Sequence, residues 1–222
     1  MTTRVALEQG LRTLEDGVVE LASMVDRAIE RSVEALKRLD QDEARSIIQD
    51  DLLINKKRFE IEEAAIELIA TQQPMARDLR RIIAILNIIV DLERMADHAE
   101  GIAKIVLMHQ DKPLLKPLID IPRMAAKARE MLRQSIDAFI RRDPEAARQI
   151  AGEDDEVDAL YDQVYRELLT YMLQDPRTID RATWLLWVAH NLERIADRVT
   201  NICERVIYDV TGRMEEINVS KY

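Results

Sequence analysis

Seven residues recur almost unchanged a hundred positions further along this chain: Asp91-Leu92-Glu93-Arg94-Met95-Ala96-Asp97 and Asn191-Leu192-Glu193-Arg194-Ile195-Ala196-Asp197. The likeness extends well outside the motif. Ser32-Val33-Glu34-Ala35-Leu36-Lys37-Arg38-Leu39-Asp40 matches Ser135-Ile136-Asp137-Ala138-Phe139-Ile140-Arg141-Arg142-Asp143, and Ala44-Arg45-Ser46-Ile47 matches Ala147-Arg148-Gln149-Ile150. A chain that says nearly the same thing twice must fold into two like units, each of about half its 222 residues and each long enough to bury a modest core.

The units are helical. Only 5 Gly, 6 Pro and 4% aromatics accompany a charged fraction of 33%, a makeup that suits long helices and starves sheets. Leu7, Leu11, Leu14, Val18, Leu21, Val25, Ala28, Ser32, Leu36 and Leu39 keep a helical period. A first helix ends near Asp40, a second runs from about Asp42 to Thr71, and after the break at Gln72-Gln73-Pro74 a third continues to about Met108. The second half repeats the scheme over roughly 122 to 142, 144 to 174 and 177 to 211, with Gly212 placed as a C-cap. The expected fold is all-α: two tandem antiparallel three-helix bundles, over 1–110 and 122–222, joined by a proline-containing linker over 111–121.

Ile82, Ile83, Ile85, Leu86, Ile88, Ile89 and Val90 wrap nearly every side of the third helix, so this stretch is expected to pack against the other bundle or a second subunit. Net charge is -10, which argues against nucleic acid and an anionic membrane surface as direct partners. No apolar signal core opens the sequence and no apolar run approaches the ~18 residues of a membrane span, so the expected location is the cytoplasm. The single Cys203 reads as a small core residue.

The duplicated motif carries a carboxylate pair four residues apart, Glu93 with Asp97 and Glu193 with Asp197, one helical turn apart on one face. Taking Leu92 and Leu192 as core centres, the pair falls about 100° and 140° away, on the shoulder between core and solvent. On the second helices Asp51 and Asn55 lie about 80° and 120° from Ile61, and Asp154 and Asp158 stand at the same angles from Val164. If neighbouring helices turn these shoulders toward each other, each bundle gathers three or four acidic oxygens.

Crowded carboxylates raise one another's pKa unless a cation or a base intervenes. Arg94, Arg194 and Arg198 are the available bases. An all-oxygen donor set otherwise suits hard ions such as Mg, Ca or Mn, with iron also plausible, and His98 could join the first site. A solvated, salt-bridged face is the plainer reading of each motif taken singly. His98, His109 and His190 read as surface or helix-end residues, and Trp184 and Trp187 as packing residues with an interface as the alternative. No Gly-rich phosphate loop, zinc spacing or Glu-x-x-His pair is present, and the chain is expected not to be an enzyme.

The paired Leu-Glu-Arg-[Met/Ile]-Ala-Asp motifs, the segment Gln72-Gln73-Pro74-Met75-Ala76-Arg77-Asp78-Leu79-Arg80 and the closing Tyr208-Asp209-Val210-Thr211-Gly212 resemble the PhoU family of phosphate-signalling regulators. The resemblance implies two three-helix bundles and a metal-binding surface at Glu93, Asp97, Glu193 and Asp197, with Asp51, Asp154 and Asp158 in support. It implies divalent or multinuclear metal, iron foremost, with Mg, Mn, Zn or Ca as alternatives. It also implies negative regulation when phosphate is plentiful, through the sensor histidine kinase of the phosphate two-component system and the ATPase subunit of the phosphate ABC transporter, and a homodimer. Asn55 stands where the second half has Asp158, so the first site is expected to be weaker or differently filled. A helical scaffold that docks partners through its acids without metal is the competing expectation.

Overall fold

A computed structural model describes residues 3–110 and 112–217; Asp111, the first residue of the expected linker, lies outside them, as do both extreme termini. Seven α-helices follow in order: α1 Thr3–Arg38, α2 Gln41–Gln72, α3 Arg77–His109, α4 Asp120–Arg141, α5 Pro144–Gly152, α6 Asp154–Gln174 and α7 Ile179–Thr211, with a 3-10 turn at Pro176–Thr178. No described segment is a strand, and none of the described helices is long and apolar enough to cross a membrane.

The turn between the first two helices is built identically in both halves. Leu39 and Arg142 adopt left-handed backbone (φ 51 and 56), and Asp40 and Asp143 donate their N–H to the Ala35 and Ala138 carbonyls, each at 2.9 Å. The same two aspartates then cap the next helix, Asp40 accepting from Glu43 N at 3.0 Å and Asp143 from Ala146 N at 3.0 Å. Gly212 closes α7 in left-handed conformation, as its position predicts.

In one respect the halves differ from each other and from expectation. The helix expected over 144 to 174 is two helices, broken at Glu153 between Gly152 and Asp154. The Glu153 N–H turns back to Ile150 O, three residues away instead of four. A glycine followed by Glu153, Asp154 and Asp155 gives the local chain a cheap place to restart, because acids are favoured in the first turn of a helix.

Within the first bundle α2 approaches α1 over glycines. A Cβ on Gly17 would lie 3.0 Å from Ile61 Cγ1, in the core. A Gly17→Leu variant is expected to lose about 1–3 kcal/mol in denaturant unfolding, because Ile61 has nowhere to retreat. An unchanged midpoint would show that α2 can shift to make room.

The bundles are packed face to face, and α3 against α7 is the most extensive helix pair in the chain. Ile82, Ile85, Ile88 and Ile89 are buried there or against their own bundle; Ile83 and Val90 stay on the surface. The two helices run antiparallel, since Arg81 meets Asp209 at one end and His109 meets Trp184 at the other. Contacts across this seam are reciprocal. Asp91 accepts from Arg198 Nη1 at 3.3 Å and Asn201 Nδ2 at 3.2 Å, while its counterpart Asn191 meets His98 Nδ1 at 2.9 Å and would abut a Cβ on Gly101. Such i-to-j, j-to-i pairing marks an approximate two-fold axis between the copies. On α1 and α4 the axis brings Asp26 opposite its own counterpart Arg129, at 2.8 Å: the copies diverged to opposite charge where they face each other.

A candidate cation-binding face

Glu93 and Asp97 lie on α3, Asp51 and Asn55 on α2, and the structure brings them within electrostatic reach of one another. Asn55 Nδ2 donates to Asp51 Oδ2 at 2.8 Å. Burial, together with Glu100, Asp97 and Glu93 as like charges, pushes the Asp51 carboxyl up to about 6. Glu100 is a member that the motif did not reveal; it shares Asp97's shoulder one turn on and ion-pairs with Lys104 at 2.6 Å. Arg94 answers the predicted role of a base, reaching Asp97 at 3.2 Å and Glu93 at 3.7 Å.

In the second bundle the cluster centres on Glu193. Its carboxyl is pushed up to about 7, first by burial and then by Asp197 and Asp158, against the lowering influence of Arg194. Glu193 Oε2 is buried and accepts no hydrogen bond from any described residue, although His190 Nδ1 comes within 3.4 Å. Arg194 pairs with Asp197. Asp154, at the first turn of α6 after the helix break, is almost wholly buried, deeper than the shoulder about 80° from Val164 where the helical period puts it.

Two sequence expectations are corrected here, and a third is refined. His98 turns into the seam toward Asn191 and away from the first acidic group, and burial lowers its pKa. Arg198 serves Asp91 across the seam and does not serve the second group. His109 is a helix-end residue but fully buried, stacked edge-on to Trp184 with ring centroids 4.9 Å apart, whereas Trp187 is about half exposed. His190, by contrast, is on the surface as read. Cys203 is a core residue, its thiol pushed up to about 12 by burial.

Chemically, each group is a set of carboxylate and amide oxygens held partly out of water with too few bases to neutralise them. That donor set fits a hard divalent cation. Among the described residues no three His, Cys, Asp or Glu side chains converge on one point, so an ion would have to draw its ligands in by rotation of their side chains.

Fold and face together define a class: an internally duplicated pair of three-helix bundles carrying one acidic ledge per copy. The family profile for the PhoU domain matches twice, at residues 18–106 and 121–206. The chain belongs to the PhoU family. It is 37% identical over 217 residues to a phosphate-specific transport system accessory protein PhoU homolog of Clostridium acetobutylicum, covering 97% of this chain and 99% of the relative. It is 36% identical over 206 residues to the PhoU accessory protein of Escherichia coli, covering 91% of this chain and 84% of that protein. Among solved structures, PhoU from Streptococcus pneumoniae, a phosphate transport system regulatory protein, superposes with a TM-score of 0.88 at 32% identity, covering 95% of this chain and 99% of the other. PhoU from Pseudomonas aeruginosa gives 0.87 at 32% identity over 93% and 99%.

Proposed function

We propose that this chain is a non-enzymatic regulator of phosphate uptake and phosphate-responsive signalling. It restrains the sensor histidine kinase of the phosphate two-component system and the ATPase subunit of the phosphate ABC transporter when phosphate is plentiful. The observation that carries the reading is family membership across nearly the whole chain, with an acidic motif inside each matched segment. It acts from the cytoplasm as a homodimer, reaching the membrane only through its partners.

Divalent or multinuclear metal, iron foremost, is the proposed cofactor, held by Glu93 and Asp97 with Asp51 and Asn55, and by Glu193 and Asp197 with Asp158 and Asp154. Such an ion would supply positive charge to ledges that burial has left short of it. The raised carboxyls of Asp51 and Glu193 support this, because a cation relieves the cost of ionising them. A metal-free docking scaffold is the second reading, favoured by the Arg94–Asp97 and Arg194–Asp197 pairs that already satisfy part of each ledge.

Metal analysis separates the two. Protein purified without chelator is expected to carry divalent metal, and Glu93→Ala with Asp97→Ala is expected to remove the first bundle's share while leaving the second. Metal content unchanged by that double variant would sink the first site. A pull-down from phosphate-replete cells, comparing wild type with all four motif acids replaced, is expected to recover kinase and ATPase subunit with wild type only. Recovery of neither by wild type would defeat the regulatory reading.

A further inference from the structure

Between α1, α2 and α3 of the first bundle lies a cavity of about 250 Å³. Met24, Ala28, Ile54 and Ala96 supply apolar wall; Asp50, Asp51 and Glu100 supply carboxylates. Arg31 also lines it but is already committed, to Glu43 at 2.5 Å and Asp50 at 2.6 Å, and Arg27 stands exposed at the rim, hydrogen-bonded to Ser23 at 3.1 Å. Among the described residues no lysine or arginine ion-pairs with Asp51.

The duplicated half shows the same groove filled. Met24 corresponds to Lys127, Asp50 to Glu153, Ile54 to Val157 and Ala96 to Ala196. Lys127 lies along its groove with Nζ 2.8 Å from Glu153 and 3.1 Å from Glu156, its side chain only 17% exposed. A methylene stem thus lies against the helices and an ammonium meets carboxylates, the arrangement that long cationic side chains favour. In the first bundle the shorter, uncharged Met24, together with Ala28 where the second bundle has the fully buried Met131, leaves that space open. Leu53 stands where Glu156 would be, so the carboxylate left there without a cationic partner is Asp51, which among the described residues accepts from the Asn55 amide only. Leu53, which lines the cavity, and its chain neighbour Leu52 are 56% and 70% exposed, an apolar surface that a partner would cover and a free amine would not need.

We propose that this groove receives a lysine side chain presented by a partner protein, which occupies the place that Lys127 fills in the second bundle. This rests on reading the chain as a partner-binding regulator. The test uses purified chain and small probes, so its failure leaves the pull-down result standing, and failure of the pull-down leaves a measured groove affinity standing.

Full-length protein in chelator is titrated, by methyl NMR, with Nα-acetyl-lysine N-methylamide. Saturable shifts are expected at the Ala28, Ile54 and Ala96 methyls, weakened by about tenfold or more when the ε-amine is acetylated, since a charge-assisted bond is lost. Met24→Lys should supply the cation from within and abolish binding. Ala28→Leu, which fills the space from the same wall one helical turn on and without charge, should do the same and covers the case in which the first variant folds poorly. A lysine peptide flanked by leucines should bind more tightly than the amide, with the gain lost in a Leu52→Ser, Leu53→Ser variant. Absence of saturable shifts at these methyls, binding undiminished in both filled variants, or putrescine binding more tightly than the leucine-flanked peptide would each overturn the assignment.

Discussion

Replacing Asp209 by Ala is expected to cost about 3–5 kcal/mol of unfolding free energy, among the largest losses available to a single substitution here. Asp209 is 1% exposed and Arg81 2%, and their charges meet at 2.6 Å across the seam between the bundles. Arg81 Nη1 also donates to the Phe139 carbonyl at 3.1 Å, Arg81 Nε donates to Glu15 at 2.9 Å, and the guanidinium lies 3.7 Å from the Phe139 ring centroid. Arg142 reaches the other oxygen of Asp209 at 3.2 Å. Without the aspartate, Arg81 stays buried with one carboxylate where it had two, and Arg142 loses its partner. In a chain of this length the loss corresponds to a fall in melting temperature of very roughly 10 °C. The pair itself contributes far less than its breakage costs, so Arg81→Met with Asp209→Leu should recover most of the deficit. Thermal and denaturant unfolding of the two variants decide this. A single variant within about 1 kcal/mol of wild type would show that water reaches the seam. Metal content of Asp209→Ala should match wild type, because the pair lies about three helical turns, roughly 18 Å, along α3 and α7 from the acidic ledges.

That network also shows how far the sequence could be read. The apolar period and the repeat were enough for the helices, their order and the shoulder positions of Glu93 and Glu193, because those depend on local backbone geometry and 3.6-residue periodicity. The repeat did not say which faces of the two copies would meet. Arg81 carried a usable signal: eleven residues before Leu92 it lies only about 20° from the core centre of α3, where a charge demands a buried partner. The partner, Asp209, is 128 residues away in the chain, and only the antiparallel α3–α7 packing brings it near. His98 was misplaced for the same reason. Its angle on α3 is compatible with either neighbour, and the choice of α7 over the first acidic group is made by Asn191 on the other copy. The break between α5 and α6 was legible only as Gly152, a residue that helices tolerate at modest cost. Asp51 and Glu193, by contrast, stand out by pattern alone; their perturbed acidity comes first from burial, which the pattern does not give, and only then from the crowding of carboxylates.

In metal-free protein Glu193 should make stability fall as pH rises. Its folded carboxyl titrates at about 7 against an ordinary 4.5, so the fold favours the protonated form. The stabilisation is complete below about pH 4.5, is lost progressively as pH climbs to about 7, and stays lost above. The difference of 7 and 4.5 corresponds to about 3–4 kcal/mol as an upper bound. Asp51 works in the same direction in the first bundle, between about 4 and about 6, so the Glu193 contribution is isolated by comparison with Glu193→Gln. The amide keeps the shape, removes the charge that Asp197 and Asp158 oppose, and should flatten the profile, leaving the variant more stable than wild type at pH 8 in chelator. A divalent cation should reverse the order. Bound to the ionised ledge it would stabilise wild type by about 2.7 kcal/mol at a hundredfold excess over its dissociation constant, and less as protons displace it below pH 6. The variant, with one anionic ligand gone, should gain less. Urea midpoints at pH 5, 6.5 and 8, with chelator and with manganese or iron, measure all four terms. Parallel pH profiles for wild type and Glu193→Gln in chelator would mean that the buried Oε2 is solvated or bonded after all. Equal gains from metal in the two proteins would place the ion elsewhere than the second ledge.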